Sequence, residues 1–380
     1  MKTLYVLHTT SMDGSTISFL TMVKTLKEKH NVEPYVIHPP ETEMEELTIE
    51  LQRMNIPCFA VPIYCSWFDS KLPWIKRMYL LLRSIPIKYK SFKKIHKIAS
   101  RHHVDIIHTN VGVVHEGFWA AKLLKIPHVW HLREYQDLDA LRSYYPCKSI
   151  FFKLLRHSYT VCITHDIQRH FKLTDEQKSR VIYNPISSTN KEYLIVLPKE
   201  NYFLIANRIS DDKRIEDALY AFAKLIKNHP NFRLLIAGHA SSKVYYERMA
   251  KIVAELNIKE SVEFLGYVQN VYNLMKSAKA LLVTSRFEGF GRMTAEANMC
   301  GCLVIGRNTG GTQEILNLTH GGCLFKDVDD LVAKMEHVVS LSDNEYLSFS
   351  QHAQAIASQR FSTVRNANEI NGLYALISAS

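Results

Sequence analysis

The run Glu288-Gly289-Phe290-Gly291-Arg292-Met293-Thr294-Ala295-Glu296 places two carboxylates eight positions apart around a pair of glycines. It follows the apolar stretch Ala280–Thr284, which reads as a strand, and it leads into a helical pattern. Gly289 and Gly291 let the backbone approach a ligand closely and adopt unusual φ, so the loop's N–H groups can face an oxygen-rich molecule. Glu288 at the loop entry can accept from hydroxyls, and Glu296, about two helical turns on, can accept from a second diol. Upstream, Asn207-Arg208-Ile209-Ser210-Asp211-Asp212-Lys213 also follows a strand and opens a helix, adding two cations. Carboxylates with cations between them suit a ligand that carries hydroxyls at both ends and phosphate in the middle.

Taken singly, each of these residues has a plainer reading. Glu288 and Glu296 are the kind of acids that sit on solvated loops and helices, and Arg208 and Lys213 are ordinary surface charges. The combination of glycines, cations and strand ends is what favours a site. Asp137-Leu138-Asp139 imitates a metal-binding D-x-D pair, but with no further ligand candidates nearby it is expected to be a helix-start acidic pair. The seven cysteines form no C-x-x-C pair and no zinc-type set with histidine. Cys300 and Cys302 read as packing residues, and a reducing, cytoplasmic compartment is expected.

Positioning such loops requires strands that end side by side. Short runs rich in Val, Ile and Leu alternate with helical patterns, the signature of a parallel sheet covered on both faces. In the first half the expected strands are Thr3–His8, Pro34–His38, Cys58–Pro62, Val104–His108, His128–His131, Thr160–Thr164 and Arg180–Tyr183, with helices such as Thr16–Glu28 and Glu116–Leu124 between them. The opening run is too short for a signal peptide or a membrane span. After Asn184-Pro185 and a polar run the pattern restarts at Tyr202–Ala206, followed by Arg233–Ala237, Val262–Leu265, Ala280–Thr284 and Leu303–Gly306. Beyond Asp327 only helices are expected, with a break near Phe361-Ser362. The 380 residues exceed what one core usually supports. The expected division is 1–190, 191–360 and a terminal helix 361–380 that packs back on the first domain.

The motifs resemble those of the retaining family 4 glycosyltransferases of GT-B fold over nearly the whole chain, most strongly over 202–330. Glu288-Gly-Phe-Gly-x4-Glu296 is similar to that family's E-x7-E signature. Arg208 and Lys213 match its Arg-x4-Lys pair, and Thr309-Gly310-Gly311-Thr312-Gln313-Glu314 resembles its GG-x-x-E turn. The fold this implies is α/β: two Rossmann-like doubly wound parallel-sheet domains facing a central cleft, the first binding the acceptor and the second the nucleotide sugar. By the same resemblance Glu288, Gly289, Phe290 and Gly291 hold the transferred sugar, Glu296 holds the ribose, and the turn at Gly266 lies by the base. Gly14, in an Asp13-Gly14-Ser15 loop where the family commonly has two glycines, lies by the donor. His131 matches a position facing the reaction centre. Gly238-His239-Ala240 stands where the family often has Gly-Asp-Gly.

The implied activity is transfer of a hexosyl residue from a nucleotide-diphosphate sugar to a saccharide or lipid-linked saccharide in cell-surface polysaccharide assembly. No cofactor and no metal are expected. Front-face attack, with the leaving phosphate helping to take the acceptor's proton, is the implied mechanism. The alternatives are a GT-B epimerase or phosphorylase and a non-catalytic basic scaffold for membranes or nucleic acid. The net charge of +10 is concentrated in residues 1–190, which hold 26 Lys and Arg against 17 Asp and Glu. From Lys71 to Arg101 there are ten cations and no acid among apolar and aromatic residues. This pattern predicts basic amphipathic helices that meet an anionic membrane surface, placing the protein peripherally on the inner face. No nucleic-acid motif accompanies it.

Overall fold

The computed structural model describes the chain apart from residues 42–45, 140–141, 145, 188–193 and 380. The expected boundary at 190/191 lies outside the described residues. The chain divides into two compact units, Met1–Pro185 together with Thr363–Ser380, and Ile186–Ser362.

In the first unit the strands are β1 (Lys2–Val6), β2 (Glu33–His38), β3 (Cys58–Ala60), β4 (Trp67–Asp69), β5 (Ile106–Thr109), β6 (His128–Leu132), β7 (Arg142–Tyr144), β8 (Tyr159–Cys162) and β9 (Ser179–Val181). Seven form a parallel sheet in the order β3-β2-β1-β5-β6-β8-β9. The strands nearest its middle are buried on both faces, which is why they read as continuous apolar runs. The helices are α1 (Gly14–His30), α2 (Glu46–Arg53), α3 (Trp74–His102), α4 (Glu116–Leu124), α5 (Lys148–Leu155) and α6 (His165–His170). The chain's last helix, Thr363–Ser378, packs on α1, and its Ala367, Ile370, Leu373, Tyr374 and Ile377 complete the core on that face.

Strands β4 and β7 pair antiparallel outside the main sheet. At three residues each they are too short for periodicity to reveal. Asp137 and Asp139 begin no helix. Asp139 accepts the backbone N–H of Tyr135 at 2.8 Å, and Asp137 meets Lys148 at 3.1 Å and His170 at 2.9 Å. The basic segment is one 29-residue helix, α3. It buries only Ser84, Ser91, Ile95 and Ala99, leaving Trp74, Ile75, Met78, Tyr79, Leu82, Ile85, Ile87 and Tyr89 exposed.

The second unit contains β10 (Tyr202–Ala206), β11 (Arg233–Ala237), β12 (Val262–Gly266), β13 (Ala280–Val283), β14 (Val304–Arg307) and β15 (Gly322–Phe325), all parallel in the order β12-β11-β10-β13-β14-β15. Sequence reading missed β15, a four-residue edge strand opened by Gly322 and without alternation. The covering helices are α7 (Ile215–Leu225), α8 (Lys243–Glu255), α9 (Tyr272–Ser277), α10 (Arg292–Met299), α11 (Gly310–Thr319), α12 (Val328–Ser340) and α13 (Asp343–Arg360). Ser242, Asp327 and Ser342 cap α8, α12 and α13 with side-chain oxygens, the last in a full capping box with Glu345. Tyr346 of α13 is fully buried and its hydroxyl accepts the N–H of Leu303, tying that helix to the entry of β14. Cys300 and Cys302 are buried, and burial pushes both thiols up, Cys302 to about 11, in keeping with packing roles.

Candidate donor site in the second unit

Strand order in the second sheet reverses between β10 and β13, which are hydrogen-bonded neighbours. Loops leaving the carboxyl ends of two such strands diverge to opposite faces and open a crevice, the general position of ligands in open α/β sheets. The loop after β10 carries Arg208 and Lys213, and the loop after β13 carries Ser285 to Gly291. Two segments about 75 residues apart in sequence are thus adjacent because of the topology.

Their contacts are specific. Lys213 Nζ donates to Glu288 Oε1 at 2.8 Å and lies 3.5 Å from Asp212, whose carboxylate is also 3.8 Å from Arg208. Arg208 itself is exposed. Burial pulls the Lys213 ammonium down, but the charge and hydrogen bond of Glu288, with Asp212, outweigh it and raise the group above its ordinary value. Burial also pushes the Asp212 carboxyl up, but the Ser210 hydroxyl and the two cations outweigh it, so Asp212 lies below the usual range. Asp212 therefore joins the two cations the sequence singled out, a role that its place between them in the motif could have suggested.

Backbone and side-chain ties fix the loops. Thr284 Oγ1 donates to the Lys213 carbonyl at 2.8 Å, and the Arg286 N–H donates to the Asp212 carbonyl at 3.0 Å. From the next loop, the Gly311 N–H donates to the Glu288 carbonyl at 2.7 Å, and Thr309 Oγ1 to the Arg286 carbonyl at 2.8 Å. Gly291 precedes α10 with φ of 83°, a left-handed position that favours glycine. Phe290 is buried with its ring against Phe361, and Gly289 lies between it and Glu288. The hydroxyls of Ser285, Thr294 and Thr312 are buried without a hydrogen-bond partner. Buried polar groups normally find partners, so hydroxyls orphaned beside these loops fit a site completed by a polar ligand or water.

Gly311 makes this architecture testable. A Cβ there would meet the Phe290 carbonyl oxygen at 2.2 Å. Gly311→Ala is expected to displace the 288–291 loop, lowering the melting temperature by several degrees and donor affinity at least about tenfold. A variant with unchanged melting temperature and affinity would show that the loop has room the geometry denies it.

Glu296 departs from the open acceptor expected of it. It is buried on α10 and pairs with Arg292 at 2.8 Å. Burial raises its carboxyl above the ordinary value, against the pull of Arg292 and a hydrogen bond from Tyr272. Gly266 ends β12 with φ of 65° and its carbonyl accepts the Gly238 N–H at 2.7 Å. Beside it is a feature that sequence reading missed. His239 and Tyr267, on the loops after β11 and β12, stack at 4.9 Å with rings 5° from parallel, and both are exposed. Nothing in the spacing of two residues 28 positions apart signals this pair.

In the first unit Gly14 starts α1, but the amides just beyond it are taken. The Asp13 carboxylate accepts from the N–H groups of Ser15 and Thr16, both at 2.9 Å. This helix start therefore presents a negative charge, contrary to the phosphate-facing loop expected there. His131 sits in β6, fully buried. Its Nδ1 lies 3.1 Å from His108 Nε2 and 3.3 Å from Arg133, while its Nε2 has no partner. Burial, then the Arg133 charge, holds its pKa well below the ordinary imidazole value, so it is neutral at pH 7. Next to this motif Glu134 is pushed up to about 7 by burial and by the charges of Asp139 and Asp13, opposed by Arg142. No group of three or more metal-binding side chains occurs among the described residues.

Residues 189–355 match the family model described as glycosyl transferases group 1. The chain is 23% identical over 300 residues to N-acetyl-alpha-D-glucosaminyl L-malate synthase of Bacillus anthracis, covering 74% of this chain and 77% of that one. It is 24% identical over 364 residues to alpha-monoglucosyldiacylglycerol synthase of Streptococcus pneumoniae, covering 84% and 79%. Among solved structures, Anabaena Alr3699/HepE in complex with UDP-glucose superposes with a TM-score of 0.76 at 19% identity, over 100% of both chains. The chain is thus of GT-B fold, and its residues 189–355 match the group 1 glycosyltransferase model.

Proposed function

We propose that the protein is a retaining, metal-independent glycosyltransferase that moves a hexosyl residue from a nucleotide-diphosphate sugar to a saccharide or lipid-linked saccharide. The observation that carries the reading is the meeting of Lys213 and Glu288, with Arg208 joined to them through Asp212, at the reversal of strand order within the segment that matches the glycosyltransferase model. Arg208 and Lys213 would hold the diphosphate and stabilise the charge that grows on it as the sugar–phosphate bond breaks. Glu288 would accept from the sugar's hydroxyls beside the Gly289–Gly291 backbone. The exposed His239–Tyr267 stack, next to Gly266, offers a flat face for the base. Glu296 would meet the ribose only by releasing part of its pairing with Arg292.

Two of the relatives above bear on the acceptor: one is named for malate glycosylation and one for a glucosyldiacylglycerol. The second fits the exposed apolar and basic surface of α3, which supports docking on an anionic membrane surface at the cytoplasmic face. No helix among the described residues is long and apolar enough to cross a membrane.

Thermal shifts with UDP-, GDP- and ADP-sugars, followed by acceptor-dependent release of nucleoside diphosphate, test the proposal. Lys213→Ala is expected to weaken donor binding about 10- to 100-fold, the worth of one charge-assisted contact. Activity should survive EDTA. Nucleoside diphosphate release without an acceptor would point to epimerase or phosphorylase chemistry instead. No stabilisation by any donor would overturn the reading.

A further inference from the structure

Between α3, α4 and α5 of the first unit lies a cavity of about 540 Å³, within the range of small-molecule pockets. Its walls include Ile85, Phe92, Trp119, Ile150 and Leu154, and the Lys88–Glu116 pair belongs to the same lining. Lys88 Nζ donates to Glu116 Oε1 at 2.9 Å, to Ser66 Oγ at 2.6 Å and to the Tyr64 carbonyl at 3.1 Å, while Glu116 Oε2 is buried without a hydrogen-bond partner. Apart from this ion pair and His115 the wall presents hydrocarbon. Ile85, Trp119 and Ile150 are also exposed, so the cavity opens to the surface.

The mouth differs from the wall. Lys93 Nζ sits 4.6 Å from the ring centre of Tyr89, and Lys122 Nζ lies 5.6 Å from that of Trp119, both rings lining the cavity. Both lysines are exposed. Lys122 is on α4, and Lys93 belongs to the run of ten cations and no acid between Lys71 and Arg101, which along α3 also carries the exposed Trp74, Ile75, Tyr79 and Leu82. An apolar hole with cations at its mouth, on an apolar and cationic face, matches an amphiphile with an anionic head.

We infer that this pocket binds one hydrocarbon chain of a membrane lipid whose phosphate head is held by Lys93 and Lys122. The inference rests on the membrane-facing part of the proposed function and not on glycosyl transfer. It distinguishes insertion of a single lipid chain from adsorption of the helix on a charged surface. A chain so held would fix the depth and orientation of the first unit at the bilayer, which surface charge alone does not.

The probe is dodecyl phosphate below its micelle concentration, titrated calorimetrically against the full-length protein, with dodecyl maltoside as the uncharged comparison. Saturable one-to-one binding is expected, with dodecyl phosphate at least fivefold tighter than dodecyl maltoside. Ile150→Asp, at an exposed lining position that folding tolerates, should weaken both ligands at least tenfold. K93E/K122E should remove the preference for phosphate while keeping the maltoside affinity. Absence of saturable binding, or binding unmoved by Ile150→Asp, overturns the inference. So does binding only to anionic vesicles, which would leave surface adsorption, and so does loss of self-association in Ile150→Asp, which would assign the pocket to a second copy. Because the readout is binding, failure of glycosyl transfer leaves the result interpretable.

Discussion

Glu288→Ala is expected to lower turnover about 10²- to 10³-fold, the usual cost of one preorganised group at a reacting centre, with the melting temperature little changed. The two effects separate because the residue does two jobs with different atoms. Its carbonyl holds the Gly311 N–H and survives the substitution. Its carboxylate touches Lys213, which keeps Asp212 at 3.5 Å when Glu288 is gone. The loop therefore stays tied while the acceptor for sugar hydroxyls is lost. Glu288→Gln, which keeps an acceptor but not the charge, should recover part of the rate. Single-turnover rates and donor affinity measured on both variants check this, and full activity in Glu288→Ala would remove the residue from the site.

Lowering the pH from 7 to 5 is expected to destabilise the first unit by several kcal/mol. His108, His115, His128 and His131 are buried, and desolvation holds each below its ordinary value, His108 and His115 at about 3. In the unfolded chain all four take up protons below about pH 6.5. The unfolded state then binds more protons, so the stabilisation is complete above that pH and is lost on acidification towards pH 3. At pH 5 this is at most about 2 kcal/mol for each imidazole. Glu134 has the opposite sign. Its folded value of about 7 lies above the unfolded one, so it favours folding more as the pH falls from about 7 to 4.5. One carboxyl offsets about 2 kcal/mol at pH 5, against four imidazoles. Urea denaturation at the two pH values, followed by fluorescence of the buried Trp130, should show the loss, and Glu134→Gln should make it larger. A flat profile would mean that water reaches these imidazoles.

Much of the scaffold was legible because parallel strands buried on both faces announce themselves as apolar runs. Tyr202–Ala206 and Arg233–Ala237 coincide with the expected strands, and Glu116–Leu124 with the expected helix. Three short strands, β4, β7 and β15, were not expected from the sequence.

The sequence by itself determined the residue types of the candidate site, because diphosphate and hydroxyl groups demand cations, carboxylates and glycine at strand ends. Only the tertiary structure decided which of them meet. The reversal of strand order brings Lys213 to Glu288 across 75 positions. Helix periodicity places Glu296 one turn beyond Arg292, and burial binds the two together. Folding stacks His239 on Tyr267. Spacing along a chain fixes neighbours within one helix or loop. Pairing between loops, and the burial that sets each charge's worth, depends on strand order, which single residues do not encode.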